Sequence, residues 1–148
     1  MSSRTGAGGR DLLQMAAMLV GVVFVLVAIL GFVPGVTTDY DSLGVAGHES
    51  EAKLLGLFQV SVLHNIVHLL FGVGILMSRT RAGARNYLVG GGVVYFVLVL
   101  VGLFIANKEE AINFVPINTA DNYLHLGLGI GMVALGLLLS RSTTAARA

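Results

Sequence analysis

The sequence contains no cysteine and few charged residues, and each shortage excludes a class of protein. Without cysteine there are no disulfides, no thiolate metal sites, no iron–sulfur clusters and no cysteine nucleophile. Charged residues make up 11% of the 148 residues and hydrophobic residues 55%, whereas soluble domains are about 25% charged. So few polar groups cannot cover a water-facing surface, and the outside of the folded chain is therefore expected to face lipid.

Four apolar segments predict an all-α membrane protein with four transmembrane helices. The predicted spans are 12–33, 62–77, 87–106 and 118–140, compared with the about 20 residues that cross a bilayer. The first segment is longer than the about 7–15 apolar residues of a cleaved signal peptide, so we interpret it as an uncleaved span. Pro34 and Gly35 are expected to end it. Ser61 is expected to cap the second helix. Asn118, with Asp121 three residues later, resembles a capping box for the fourth, with Asp in place of the usual Glu.

The remaining residues are loops and tails around a single membrane domain. Residues 1–11 form a predicted cytoplasmic tail, 12–141 the four-helix domain, and 142–148 a tail expected to be disordered. Within the domain, 35–53 is an acidic loop, and 54–60 is expected to lie in the interface or turn inward. Residues 78–86 are expected to form a short basic loop.

The distribution of charge predicts the orientation in the membrane. One side would hold seven basic residues: Arg4, Arg10, Arg79, Arg81, Arg85, Arg141 and Arg147. The other side would hold only Lys53 and Lys108, together with every acidic residue except Asp11. Because basic residues in short loops are retained on the cytoplasmic face, both termini are predicted to be cytoplasmic.

An internal repeat organises the chain. Residues 63–69 read Leu-His-Asn-Ile-Val-His-Leu, and residues 120–126 read Ala-Asp-Asn-Tyr-Leu-His-Leu. An offset of 57 (125 − 68) places Asn65 on Asn122 and His68 on His125, and an offset of 71 (102 − 31) places 21–24 on 92–95. The repeats are predicted to be about 12–78 and about 87–140. We infer a duplicated helical hairpin forming a pseudo-twofold four-helix bundle, with its axis along the membrane normal.

The repeated motif supplies a cluster of polar side chains at membrane depth, where such groups are costly and need a reason. Its six members are His64, Asn65, His68, Asp121, Asn122 and His125. One interpretation is structural: these side chains form hydrogen bonds across the bundle and hold the two hairpins together. The protein would then be a structural or accessory subunit.

A second interpretation is a cofactor site. His68 and His125 on facing helices could be the axial ligands of a haem b near the outer leaflet. Alternatively His64, His68, Asp121 and His125 could hold a divalent metal ion through three nitrogens and one oxygen. The structural interpretation needs neither group, and it is the one that we adopt, with no cofactor expected.

A third interpretation is an oligomeric channel, a transporter, or a protein that binds lipid or quinone along the glycine-lined polar face. Partners beyond the lipid bilayer would be a larger membrane complex or further copies of the chain, with Gly127 and Gly131 as a candidate helix-packing surface. Catalysis has no support, because no nucleophile and base lie in register and no phosphate-binding loop is present. Nothing on the inner face is basic enough for nucleic acid.

The two motifs and the four-span pattern resemble a family of bacterial membrane proteins known as domain of unknown function 4383. The resemblance covers roughly residues 12–140. Members often carry Asn-Pro before the first motif, where this chain has Ser61 and Val62; a capping side chain is kept, but the helix start is less rigid. The resemblance implies the fold and a bacterial plasma membrane location, and it implies no activity.

Overall fold

The computed structural model describes residues 10–109 and 111–141. These residues form helices α1 (Leu12–Leu30), α2 (Val62–Phe71), α3 (Gly74–Met77), α4 (Arg81–Ile105) and α5 (Thr119–Arg141). They also form strands β1 (Thr37–Thr38), β2 (Lys53–Leu54) and β3 (Phe58–Gln59). The predicted disordered tail 142–148 and most of the predicted tail 1–11 lie outside the described residues.

Helices α1, α4 and α5 are each long and apolar enough to cross a membrane, and Val62–Met77 is a shorter apolar helical segment. Large apolar side chains such as Leu26, Leu100 and Ile130 are exposed along these helices, where a soluble protein would carry polar ones. The chain is therefore a mostly helical membrane protein, as its composition predicts.

One end of the molecule is held by a polar network at the start of α1. Asp11 caps the helix by accepting a hydrogen bond from the Gln14 N–H (2.9 Å), and Gln14 accepts one from the Asp11 N–H in return. The Gln14 amide also donates to the carbonyl oxygens of Ser78 and Arg79 after α3. The one strongly polar side chain in the first apolar segment thus caps its own helix and binds its neighbour.

Arg81 joins the same network from α4. Its guanidinium forms an ion pair with Asp11 and donates to the carbonyl oxygens of Leu139 and Ser140 at the end of α5. The Gln14 N–H, opposed by partial burial and supported by the Arg81 guanidinium, holds the pKa of Asp11 below its usual range. The prediction of a basic loop over residues 78–86 is wrong for most of that range, because Thr80 caps α4 and residues 81–86 are helical.

The second apolar segment contains a break that the sequence did not predict. α2 ends at Phe71 and α3 begins at Gly74. The Phe71 carbonyl accepts a hydrogen bond of 2.8 Å from the Tyr87 hydroxyl, which satisfies a group that the break would otherwise leave unpaired. Next to the break α3 approaches α1 closely: a Cβ added to Gly21 of α1 would lie only 2.7 Å from the backbone nitrogen of Ile75 in α3.

The other end of the molecule carries a small antiparallel sheet in the order β1-β2-β3. Leu54 pairs with Phe58, and the turn between them has left-handed backbone at Leu55 and Gly56. Ala52, Leu54 and Val60 form a buried apolar cluster beneath the sheet. The apolar segment 54–60 is thus a hairpin lying over the helix ends.

The helices pack with α4 against α5, and with α1 against α2, α3 and α4. The main core contains Leu13, Ala17, Phe24, Ala84, Tyr87, Leu88, Tyr95 and Met132. Phe24 of α1 and Tyr95 of α4 stack at its centre, with ring centroids 5.9 Å apart and an interplanar angle of 10°.

Candidate functional site

The three histidines of the predicted cluster come together between α2 and α5. His64 and His68 lie one turn apart on α2 with ring centroids 4.5 Å apart, and the His64 ring is 6.5 Å from that of His125 on α5. His64 and His125 are 3% and 5% exposed, and His68 is half-buried. The imidazoles therefore face the protein interior rather than lipid.

Two aromatic rings connect His68 to His125 through ring contacts. The His68 ring lies 6.0 Å from Phe24, which stacks on Tyr95, and Tyr95 lies 5.2 Å from His125.

The two asparagines of the cluster pack against glycines on neighbouring helices. The Asn65 amide occupies the space that a Cβ on Gly31 would need, and the Asn122 amide does the same at Gly102. A side chain larger than hydrogen at either glycine would displace its asparagine.

Asp121 makes the hydrogen bonds of the predicted capping box and one that was not predicted. Its Oδ2 accepts a bond of 2.9 Å from the Asn118 N–H, and its own N–H donates to the Asn118 side chain. The same Oδ2 accepts a bond of 3.1 Å from the N–H of Gln59 in β3. Asp121 is 2% exposed, and its carboxyl group therefore links the start of α5 to β3, which precedes α2.

Two more hydrogen bonds join the same loops. The Asn118 amide donates to the Leu57 carbonyl at 2.8 Å, and the Gly47 N–H donates to the Phe114 carbonyl at 2.7 Å. Asn118 and backbone groups thus add to the link that Asp121 makes between the two halves at this end.

Most of the other polar atoms of the cluster are buried without a partner. Within the described ranges, the buried side-chain atoms that form no hydrogen bond are Nδ1 of His64, His68 and His125, both amide atoms of Asn65, and Oδ1 of Asn122. Buried polar groups usually have a partner, and each one that lacks it needs an explanation. The three imidazoles lie together, but no hydrogen bond joins these atoms to one another.

A cavity of about 310 Å³ adjoins the cluster between α1 and α5. His68, Asp121 and His125 line one side, and apolar side chains line the rest, including Phe24, Val27 and Leu128. Leu54, Leu55 and Phe58 of the outer hairpin cover one end. Its rim contains the exposed side chains Leu19, Val23 and Leu124, so the cavity opens towards the side of the bundle.

Of the four predicted metal ligands, the three histidines lie together, but Asp121 is already engaged by the backbone. The three imidazoles are neighbours, while the Asp121 carboxylate already accepts two backbone hydrogen bonds. Among residues 10–109 and 111–141 no group of three or more His, Cys, Asp or Glu side chains is arranged to hold a metal ion.

Sequence reasoning missed three contributors to this site. Phe24 and Tyr95 occupy matching positions in the repeat (95 − 24 = 71), so the offset was a signal that could have identified them. Gln59 contributes through its backbone N–H, which carries no side-chain signal.

The predicted helix-packing surface on α5 lies on the outside of the molecule. Gly127 and Gly131 are exposed, and an added Cβ at either would meet no atom within 4 Å. Pairing with a second copy through this surface remains a prediction.

A family model described as Domain of unknown function (DUF4383) matches residues 14–138 of the chain. The comparisons with curated proteins and with solved structures found no match.

Proposed function

Since the chain belongs to the DUF4383 family, which has no assigned function, we propose that it is a structural or accessory subunit built from two membrane hairpins held together at one end. The proposed fold is a duplicated hairpin with four membrane-crossing segments around a pseudo-twofold axis. The proposed location is the bacterial plasma membrane, and the proposal contains no catalytic step.

Matching contacts in the two halves support the duplication. Phe24 contacts His68, and Tyr95, 71 positions after Phe24 (95 − 24), contacts His125, 57 positions after His68 (125 − 68). The pairs Gly31 with Asn65 and Gly102 with Asn122 obey the same two offsets. Unrelated hairpins would have no reason to repeat both contacts.

The observation that carries the proposed role is that Asp121 Oδ2 accepts two hydrogen bonds, one from each half of the chain. One oxygen accepts the N–H of Gln59 from the first half and the N–H of Asn118 from the second. Because both bonds end on one buried oxygen, losing this acceptor would leave an N–H group in each half without a partner, so the Asp121 side chain links the halves.

The proposed orientation places the network of Asp11 and Arg81 in the cytoplasm and the small sheet outside. Arg10, Arg79 and Arg85 lie with that network at the end where α1 begins and α4 starts. This separation of basic residues from the acidic loops supports cytoplasmic termini.

Cysteine labelling tests this orientation without background, because the chain has no cysteine. Ser42→Cys and Ala111→Cys, both exposed in the outer loops, are expected to react with an impermeant maleimide on intact cells, and Ala82→Cys is not. Ala82 is preferable to Gly83, where an added Cβ would collide with the Met77 carbonyl oxygen.

The control is permeabilisation, which should make Ala82→Cys react as fully as the other two variants. Labelling of Ala82→Cys on intact cells, with protection of Ser42→Cys, would reverse the orientation.

A haem b or metal-binding role is the second candidate, and the unpartnered Nδ1 atoms of His68 and His125 favour it. An absorption spectrum and elemental analysis of the gently purified protein distinguish the two roles. A Soret band or a stoichiometric metal would replace the structural role with a cofactor role.

A further inference from the structure

The cavity between α1 and α5 combines features that the proposed structural role does not use. Its volume of about 310 Å³ is at the lower end of the range for small-molecule sites, about 300–1,000 Å³. It therefore has room for one ring and the start of a chain.

Two imidazoles provide the polar part of its wall. His125, 5% exposed, and His68 both line the cavity, and the Nδ1 atom of each is buried without a partner. A neutral imidazole nitrogen either donates or accepts one hydrogen bond, depending on which nitrogen carries the proton. A ligand with carbonyl or hydroxyl oxygens could hydrogen-bond to the imidazoles where they line the cavity.

The rest of the wall favours a flat, uncharged ligand. Phe24 and Phe58 present aromatic rings, and among the described residues that line the cavity Asp121 is the only acidic or basic one apart from the histidines. With no Lys or Arg among the lining residues, a phosphate or carboxylate head group would find no cation to pair with.

Access is from the bilayer. The rim residues Leu19, Val23 and Leu124 are 57%, 53% and 43% exposed, on helices whose outer surface faces lipid in the proposed membrane arrangement. His125 is six residues into α5 (125 − 119), or about 9 Å from the start of that helix at about 1.5 Å per residue. A ligand in the half of the membrane nearer to the small sheet could enter with its tail still in lipid.

We propose that this cavity binds the ring of a lipid-soluble quinone or its quinol, with His68 and His125 hydrogen-bonding the ring oxygens. The assignment rests on the membrane location in the proposed function. It does not depend on the link through Asp121 or on the orientation. A failed labelling experiment would therefore leave this proposal standing, and a failed binding experiment would leave the orientation standing.

The test is the ligand-dependent rise in melting temperature of the full chain in nanodiscs, titrated with decylubiquinone. Saturable stabilisation is expected, because a ligand that binds only the folded state raises its stability. Decylbenzene, which has the tail and a ring but no oxygens, should stabilise weakly. Phosphatidylglycerol added at the same concentration should not compete.

His125→Leu and His68→Leu are each expected to weaken decylubiquinone binding about tenfold, the effect of losing one hydrogen bond. Val23→Phe, which fills the rim without touching the polar cluster, should also weaken it. His48→Leu is the matched control, because His48 is the only other histidine of the chain and does not line the cavity.

The melting temperature without ligand shows whether each variant folds, and Val23→Phe keeps the test valid if a histidine variant does not. Equal stabilisation by decylbenzene would mean that an acyl chain fills the cavity, and competition by phosphatidylglycerol would mean a head-group site. Either of these results overturns the proposal. So does the absence of saturable stabilisation by decylubiquinone, or a His48→Leu variant that weakens binding as much as the cavity variants do.

Discussion

Gly92→Ala is expected to destabilise the protein by about 2–3 kcal/mol, because it inserts a methyl group where α4 and α5 are already in contact. The added Cβ would lie 2.6 Å from the Val133 side chain, 2.9 Å from the Gly129 carbonyl oxygen and 3.0 Å from the Val133 nitrogen. Two of these atoms are backbone, so relief requires the helices to move apart. Unfolding in detergent, followed by loss of helical circular dichroism, measures the change.

Gly90→Ala is the matched control, two residues earlier on the same helix, with nothing within 4 Å of an added Cβ. Alanine is the better helix former by up to about 1 kcal/mol, so this variant should be neutral or stabilised. Equal losses in the two variants would mean that α4 and α5 do not approach each other at Gly92.

The sequence predicts the helices well where their signals are local. Apolar segments of spanning length gave α1, α4 and α5 to within a few residues, apart from the start of α4. That start was missed because Arg81 and Arg85 suggested a solvated loop, while in the structure Arg81 binds Asp11 and the end of α5. Partners distant in sequence decided the conformation there.

Tertiary contacts also explain the other two differences. The break between α2 and α3 coincides with a close approach of α3 to α1 and with a hydrogen bond from Tyr87 to Phe71. The small sheet depends on pairing of residues 37–38 with 53–54 across a long loop. No local pattern in strands of two residues can predict such pairing.

The candidate site also contains parts that local sequence patterns predict and parts that depend on tertiary contacts. The sequence repeat pointed to His64, His68 and His125, and their rings are neighbours in the structure. The capping box of Asn118 and Asp121 is confirmed. The sequence could not predict the Gln59 bond, since it depends on how the outer loop folds over the helix end. The cavity is likewise a product of packing rather than of any motif.

Asp121→Ala is expected to cost about 2–4 kcal/mol, because it leaves the N–H groups of Gln59 and Asn118 without their acceptor. Asp121→Asn should cost no more than about 1 kcal/mol, since both bonds end on the same oxygen and an amide oxygen can accept both. Unfolding in detergent measures both variants, and elemental analysis is done on the same preparations.

Asp41→Ala, at an exposed acid in the same outer loops, controls for the loss of a negative charge and should change stability little. The contrast between the alanine and asparagine variants separates a hydrogen-bonding role from a metal-binding one. A metal site would lose a charged oxygen ligand in Asp121→Asn, whereas the link between the halves needs only an acceptor in that position. Stoichiometric metal in the wild type that disappears in Asp121→Asn, or equal destabilisation by asparagine and alanine, would contradict the proposed link.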